Sequence, residues 1–217
     1  MATITAIETQ KRRPDRVNIE LDGEFAFGLA GILAAGLKVG QHLEPERIAA
    51  LQARDADESA YQQALRLLSL RERSESELRT YLRKRKTPED VTERTLVRLR
   101  EHRHADDAHF ARSWVENRST FRPRGRRALA WELRRKGVAA DVAETVLSDI
   151  DESTLAHQAG LKKAGQLSSA DWQDFRTKVS AYLARRGFAT PIITSTVSRL
   201  WAETHAGQPS LQEEDIS

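Results

Sequence analysis

Cysteine is absent from the chain. Disulfides and thiolate chemistry are excluded with it, and a reducing, cytoplasmic setting is the expectation that fits. Nothing approaches the roughly 18 apolar residues in a row that a membrane span needs. The start, MATITAIETQKRR, has no apolar run of signal-peptide length. Enzyme signatures are missing as well: no Gly-rich phosphate loop, no G-x-S-x-G and no zinc-protease motif. The expectation is therefore a protein without catalytic residues, cofactor or small-molecule substrate. Basic residues, too, are lacking in one place. Residues 203 to 217 hold Glu203, Glu213, Glu214 and Asp215 but no Lys or Arg, so the net charge of +3 becomes +7 for the rest of the chain. Such a balance favours an anionic partner.

What is present is a chain of 217 residues, 39% apolar and 31% charged, which is globular but rich in solvated surface. The N-terminal segment reads as strands. Ile4 to Thr9 is a first candidate, and RVNIELDGEFAF carries a hairpin signal around Asp22-Gly23. For Val17 and Ile19 to share a face with Phe25 and Phe27, Ile19 must oppose Phe25 and Val17 must oppose Phe27. That register needs a three-residue loop, Leu21-Asp22-Gly23. GLAGILAAGLKVGQHL reads as a short helix and a connection, after which Glu44-Pro45 opens a helix.

From about residue 58 the apolar period is 3.6, to about residue 206. Three segments align: ELRTYLRKRK, ALAWELRRKG and KVSAYLARRG, with Leu82, Leu133 and Leu183 in matching places at spacings of 51 and 50 residues. Leu78, Leu129 and Val179 precede them by four residues. Val91, Val142 and Ile192 follow by nine, and Leu96, Leu147 and Val197 by fourteen. Each copy spans about three helices. In the first, Ser74 and Glu77 form a capping box, and Thr87-Pro88 reads as a cap followed by proline at the first helical position. Units of about 50 residues bury little core alone, so they are expected to stack into an elongated, curved array.

The repeats sort the charges. Arg83-Lys84-Arg85, Arg134-Arg135-Lys136 and Ala184-Arg185-Arg186 follow the column leucines, and eight of these nine positions are basic. Cations in a last helical turn favour the macrodipole, which explains one or two per helix. The remainder suits a polyanion or a repeating acidic surface. The densest stretch is FRPRGRRALAWELRRKGV, residues 121 to 138, with Arg122, Arg124, Arg126, Arg127, Arg134, Arg135 and Lys136 opposed by Glu132 alone. Trp131 sits about 160° around the helix from Leu133, flanked by Arg127 and Arg134 at i−4 and i+3. Thr80 and Ala181 occupy its place in the other copies, so no core column demands an aromatic there. Aromatic beside guanidinium grips bases or protein anchors; the plain alternative is that Trp131 packs on a neighbouring repeat. HRHADDAH carries His102, His104, Asp106, Asp107 and His109 but no helical H-x3-H pair, and Asp106 is an ordinary N-cap, so no metal is expected.

ALRLLSLRERSESELRTYLRKR (64 to 85), DDAHFARSWVENRSTFRPRGRRALAWELRRKGV (106 to 138) and FRTKVSAYLARRGF (175 to 188) resemble the RecX regulatory proteins, modulators of the bacterial recombinase RecA. The string R-x-R-S-x-x-E-L, D-D-x-x-F-A, R-G-x-x-x-[apolar]-x-x-E-L-R-x-K-G occurs in that order, and the likeness covers residues 58 to 203. The resemblance implies a mainly α fold of three tandem three-helix repeats, preceded by a small hairpin module seen in some longer members. It implies binding to RecA–single-stranded DNA filaments, with inhibition of strand exchange, ATP turnover and coprotease action, and a weaker direct affinity for single-stranded DNA. A cytoplasmic monomer acting in DNA repair and the SOS response is expected. Arg103, His104 and Ala105 depart from the family's glycine, aromatic and leucine; the glycine would take a left-handed cap, which Arg103 adopts only at a cost. The boundaries expected are 1–57 for the hairpin module and connecting helix, then 58–104, 105–150 and 151–206 for the repeats, and 207–217 for a disordered acidic tail. The alternatives are a free-standing architectural or transcriptional DNA-binding protein, whose basic second helices imitate helix-turn-helix, and a helical scaffold for an acidic protein.

Overall fold

The structure is a computed structural model that describes residues 1–206; the expected tail, 207–217, lies outside the described residues. Three strands come first: β1 (Ala2–Gln10), β2 (Arg13–Leu21) and β3 (Glu24–Ala30). A four-residue helix α1 (Gly31–Ala34) and a two-residue strand β4 (His42–Leu43) follow. The antiparallel sheet has the order β3-β2-β1-β4, with β4 paired to the start of β1. A strand of two residues has no alternation to read, so β4 leaves no pattern in the sequence.

The hairpin register differs from the expected one. Asp22 and Gly23 both have positive φ, +52° and +89°, so the turn has two residues rather than three and closes on Leu21 opposite Glu24. Ile19 opposes Phe27 and Val17 opposes Leu29, while Glu20 opposes Phe25. Ala26 is therefore the extra residue of a β-bulge. The bulge does what a longer loop would have done: it restores a common face for Ile19, Phe27 and Leu29, all buried, and turns Phe25 out to 65% exposure.

Helix α2 (Pro45–Leu68) runs unbroken for 24 residues, opening at Pro45 as expected. Its first half carries Leu51 into the sheet core beside Ile4, Ile19 and Leu29. Asp55 fixes that contact, pairing with Arg16 at 2.6 Å and accepting the Ala30 N–H at 2.7 Å. Its second half supplies Ala60, Tyr61 and Ala64 to the cores of the first helical repeat. The boundary expected between residues 57 and 58 thus falls inside one helix, because no proline or glycine interrupts Pro45–Leu68. The chain divides into two compact units, Met1–Asp106 and the part that begins at Asp107.

The first repeat continues with α3 (Glu75–Lys84) and α4 (Glu89–Glu101). Ser74 Oγ accepts the Glu77 N–H at 3.2 Å. Pro88 stands at the cap of α4 rather than inside it, with no side-chain cap. The second repeat is α5 (Asp107–Phe121), α6 (Arg126–Arg135) and α7 (Ala140–Ser148); the third is α8 (Glu152–Gly165), α9 (Trp172–Arg185) and α10 (Thr190–His205). Leu78, Leu129 and Val179, and Leu82, Leu133 and Leu183, are all at 0% exposure. Each such leucine is worth about 1.5–3 kcal/mol on burial. Leu96, Leu147 and Val197 are buried too. The remaining column is less uniform: Val91 is buried, but in the later copies the next residues, Ala143 and Ile193, go deeper than Val142 and Ile192.

Four residues after each column leucine the backbone turns left-handed, at Lys86 (φ +61°), Gly137 (+79°) and Gly187 (+84°). Arg103 takes φ +55°, the strained cap expected where the family has glycine. His102 and His104 lie tilted against the Tyr61 ring, with ring centroids 6.1 and 6.4 Å away. Among the described residues no helix is long and apolar enough to cross a membrane.

Candidate functional site

The stretch 121–138 begins as the end of α5, crosses a short loop and becomes α6. Its pivot is Gly125, the N-cap of α6. Serine or aspartate would cap a helix better, but a Cβ at Gly125 would lie 2.3 Å from the Gly187 carbonyl oxygen. A Cβ at Gly187 would lie 2.5 Å from the Ala128 Cβ. The two backbones touch through this pair: the Gly125 N–H donates to the Arg186 carbonyl at 2.9 Å, and Arg186 Nη1 donates to the Pro123 carbonyl at 2.9 Å. The start of α6 and the end of α9 are thereby locked together, and Arg186 comes beside Pro123, between Arg122 and Arg124. Sequence reasoning assigned Gly125 no role; a glycine at an N-cap between arginines was the available signal.

Glu132, the one acid of the stretch, is 8% exposed. It accepts from Trp114 Nε1 at 2.8 Å and Arg118 Nε at 2.7 Å, and pairs with Arg124 Nη1 at 3.0 Å. A buried carboxylate needs such partners. It ties α6 to α5 and to the loop, so Arg124 serves the fold. Arg126 is also engaged: its N–H donates to Glu152 at 2.9 Å and its side chain to the Ile150 carbonyl at 3.4 Å. Arg135 lies over the Trp131 ring at 4.7 Å, Lys136 over Trp114 at 4.8 Å and Arg186 over Tyr182 at 4.7 Å. Arg122, Arg127, Arg134 and Arg185 are exposed. In the first unit, Arg83 approaches Glu89 at 3.9 Å, Arg85 lies 5.3 Å over the Tyr81 ring, and Lys84 is exposed.

Trp131 is 48% exposed and stands at the rim of a groove of about 730 Å³ between α6 and α7. Ala130, Val138, Ala143 and Leu147 form its apolar floor, and Arg126, Arg127, Arg134 and Glu144 surround it. Within its own compact unit, Trp131 is not packed into the third repeat. The surface offers guanidinium groups, one aromatic face and an apolar slot. Chemically it is equipped to bind an anionic macromolecule.

Four domain models of one family match the chain in order: "Regulatory protein RecX N-terminal domain" over residues 2–44, and the first, second and third RecX three-helix domains over 60–99, 106–147 and 150–197. A regulatory protein RecX of Bacillus velezensis is 31% identical over 207 residues, covering 92% of this chain and 78% of that protein. One from Chlorobium limicola is 34% identical over 138 residues, covering 64% of this chain and 87% of its own. A crystal structure of a regulatory protein RecX superposes with a TM-score of 0.75 at 29% identity, covering 91% of this chain and all (100%) of that one.

Proposed function

This chain belongs to the RecX family of regulatory proteins, and from that premise we propose that it binds RecA–single-stranded DNA filaments and inhibits the recombinase. It acts by binding rather than by catalysis, as a cytoplasmic monomer in DNA repair and the SOS response. The observation that supports the proposal is the groove that Trp131 lines, with Arg126, Arg127 and Arg134 around it, next to a joint at Gly125 and Gly187 that holds the start of α6 against the end of α9. Arg122, Arg127, Arg134 and Arg185 are the contact cations on this reading; Arg83, Lys84 and Arg85 extend the set in the first repeat. A filament displays recombinase and phosphates together, so a partner needs both charge for the anions and an anchor for the protein. Occupation of the filament would block subunit addition and access of the second DNA.

The test is recombinase ATPase on single-stranded DNA with substoichiometric amounts of this protein. A fall in rate with shortened filaments is expected; unchanged rate and length would refute the proposal. A second reading, a free-standing DNA-binding protein, draws on the basic second helix α6 of a three-helix unit. It requires tight duplex binding without recombinase, with a log–log salt slope of about 0.7 to 0.9 per phosphate contact.

A further inference from the structure

The three repeats offer the same slot between their second and third helices, and they fill it differently. In the first, ion pairs span the slot: Arg79 pairs with both Glu89 and Glu93, and Arg83 leans on Glu89. The 51-residue spacing puts Ala130 in the place of Arg79, Ala140 in that of Glu89 and Glu144 in that of Glu93. In the second, without the arginine and one of its two acids, the slot is a groove of about 730 Å³. In the third repeat, Ser180, Thr190 and Thr194 hold those places, and the slot is about 440 Å³. That copy has Ala181 and Ala184 where the second has Trp131 and Arg134. The third slot also has an aromatic and a guanidinium in its lining, Trp172 and Arg176, but it is the smaller of the two, and Trp172 is engaged edge-on by Trp201 at 5.3 Å.

We propose that the α6–α7 groove is the docking site of an acidic protein segment that carries one large apolar side chain. The floor of Ala130, Val138, Ala143 and Leu147 suits an aliphatic or aromatic anchor, and the volume lies in the range of ligand pockets. The Arg127 and Arg134 side chains have no hydrogen bond or ion pair among the described residues and stand beside that floor, where carboxylates flanking the anchor would meet them. Nucleic acid fits less well. An apolar floor cannot satisfy phosphate oxygens, and Arg135 already covers the Trp131 ring that a base would stack on. This inference rests on the filament reading, in which the acidic segment belongs to the recombinase.

The test places the photoreactive residue benzoylphenylalanine at position 131 and irradiates the protein on recombinase filaments assembled on single-stranded DNA. The expected product is a crosslink to recombinase, in a segment rich in Asp and Glu around one large apolar residue. Ala130→Arg with Ala140→Glu, which installs the first repeat's ion pair and fills the groove, should abolish the crosslink and weaken filament binding about ten-fold with unchanged circular dichroism. Trp131→Thr, the first repeat's residue at a half-exposed position, is the second variant and should weaken binding similarly. A crosslink to DNA, or to a neutral or basic segment, overturns the inference. Full inhibition with no crosslink, or unweakened binding by both variants, overturns it while leaving the filament reading intact. Absence of inhibition by the unmodified protein overturns the filament reading and this inference with it.

Discussion

Replacing Gly125 with alanine tests the joint between the start of α6 and the end of α9. The φ of −72° at Gly125 suits alanine, so the backbone itself presents no obstacle. The obstacle is space. The added Cβ would lie 2.3 Å from the Gly187 oxygen, and 2.4 Å from both the Gly187 carbonyl carbon and the Phe188 nitrogen. All three are backbone atoms, which cannot turn away as a side-chain tip does. Restoring ordinary contact near 3.5 Å needs a displacement of about 1 Å. That stretches the 2.9 Å bond from Gly125 N–H to the Arg186 carbonyl past hydrogen-bond range and strains the one from Arg186 to Pro123. Overpacking costs about 1–3 kcal/mol, and the two hydrogen bonds contribute about 1 kcal/mol each. Gly→Ala recovers about 0.4–1 kcal/mol from the unfolded chain. The expected loss is thus about 2–4 kcal/mol, measured by urea denaturation followed by circular dichroism. Gly165→Ala is the control, since open space surrounds that position in the same unit; it should stabilise slightly. If Gly125→Ala behaves like Gly165→Ala, the two repeats do not touch where the structure joins them.

Glu132→Gln should destabilise by about 2–3 kcal/mol, because Arg118 and Arg124 lose their carboxylate while remaining only partly exposed; urea denaturation read through tryptophan fluorescence checks it. Leu133→Ala, at a fully buried position, should cost about 2–5 kcal/mol by the same assay. Lys86→Gly should stabilise by about 0.5–1 kcal/mol, since it removes left-handed strain at a site where the other repeats carry Gly137 and Gly187; a rise in Tm would show it. Burial pushes the Glu58 carboxyl up, but hydrogen bonds from Arg98 and Gln62 and the Arg98 charge outweigh it and hold the group below the usual 4.5. A depressed carboxylate stabilises the fold above its unfolded pKa and loses that contribution as pH falls through the folded value. The stability gap between the natural protein and Glu58→Gln should therefore be full above about pH 5 and shrink below 4.5; denaturation across pH 3 to 6 measures it (a range set by the usual carboxylate titration).

The helical cores were legible because their signal is periodic. Leu78, Leu82 and Leu96 recur with their counterparts at fixed spacing, and burial acts on every one of them. The hairpin register was not, since a bulge at Ala26 and a longer loop satisfy the same alternation, and only pairing distinguishes them. The continuity of α2 was hidden because its two halves serve different cores, one under the sheet and one in the helices. In the basic stretch, charge could be counted but not sorted. Arg124 looks like Arg127 in sequence, yet a buried Glu132 claims one and leaves the other in solvent. That distinction is tertiary: it depends on Trp114 and Arg118 arriving from α5. Trp131 was recognisable because no repeat column required it, whereas the groove beside it arises from the small residues Ala130 and Ala140, which carry no signal alone.

The target proposed for this protein is the recombinase filament rather than naked DNA. Equilibrium binding of the labelled protein to RecA–single-stranded DNA filaments, to bare single strands and to duplex, at one physiological salt concentration, tests it most directly. Filaments should bind at least about ten-fold more tightly than either naked DNA, a difference of about 1.4 kcal/mol. Equal or tighter binding to naked DNA would contradict the claim.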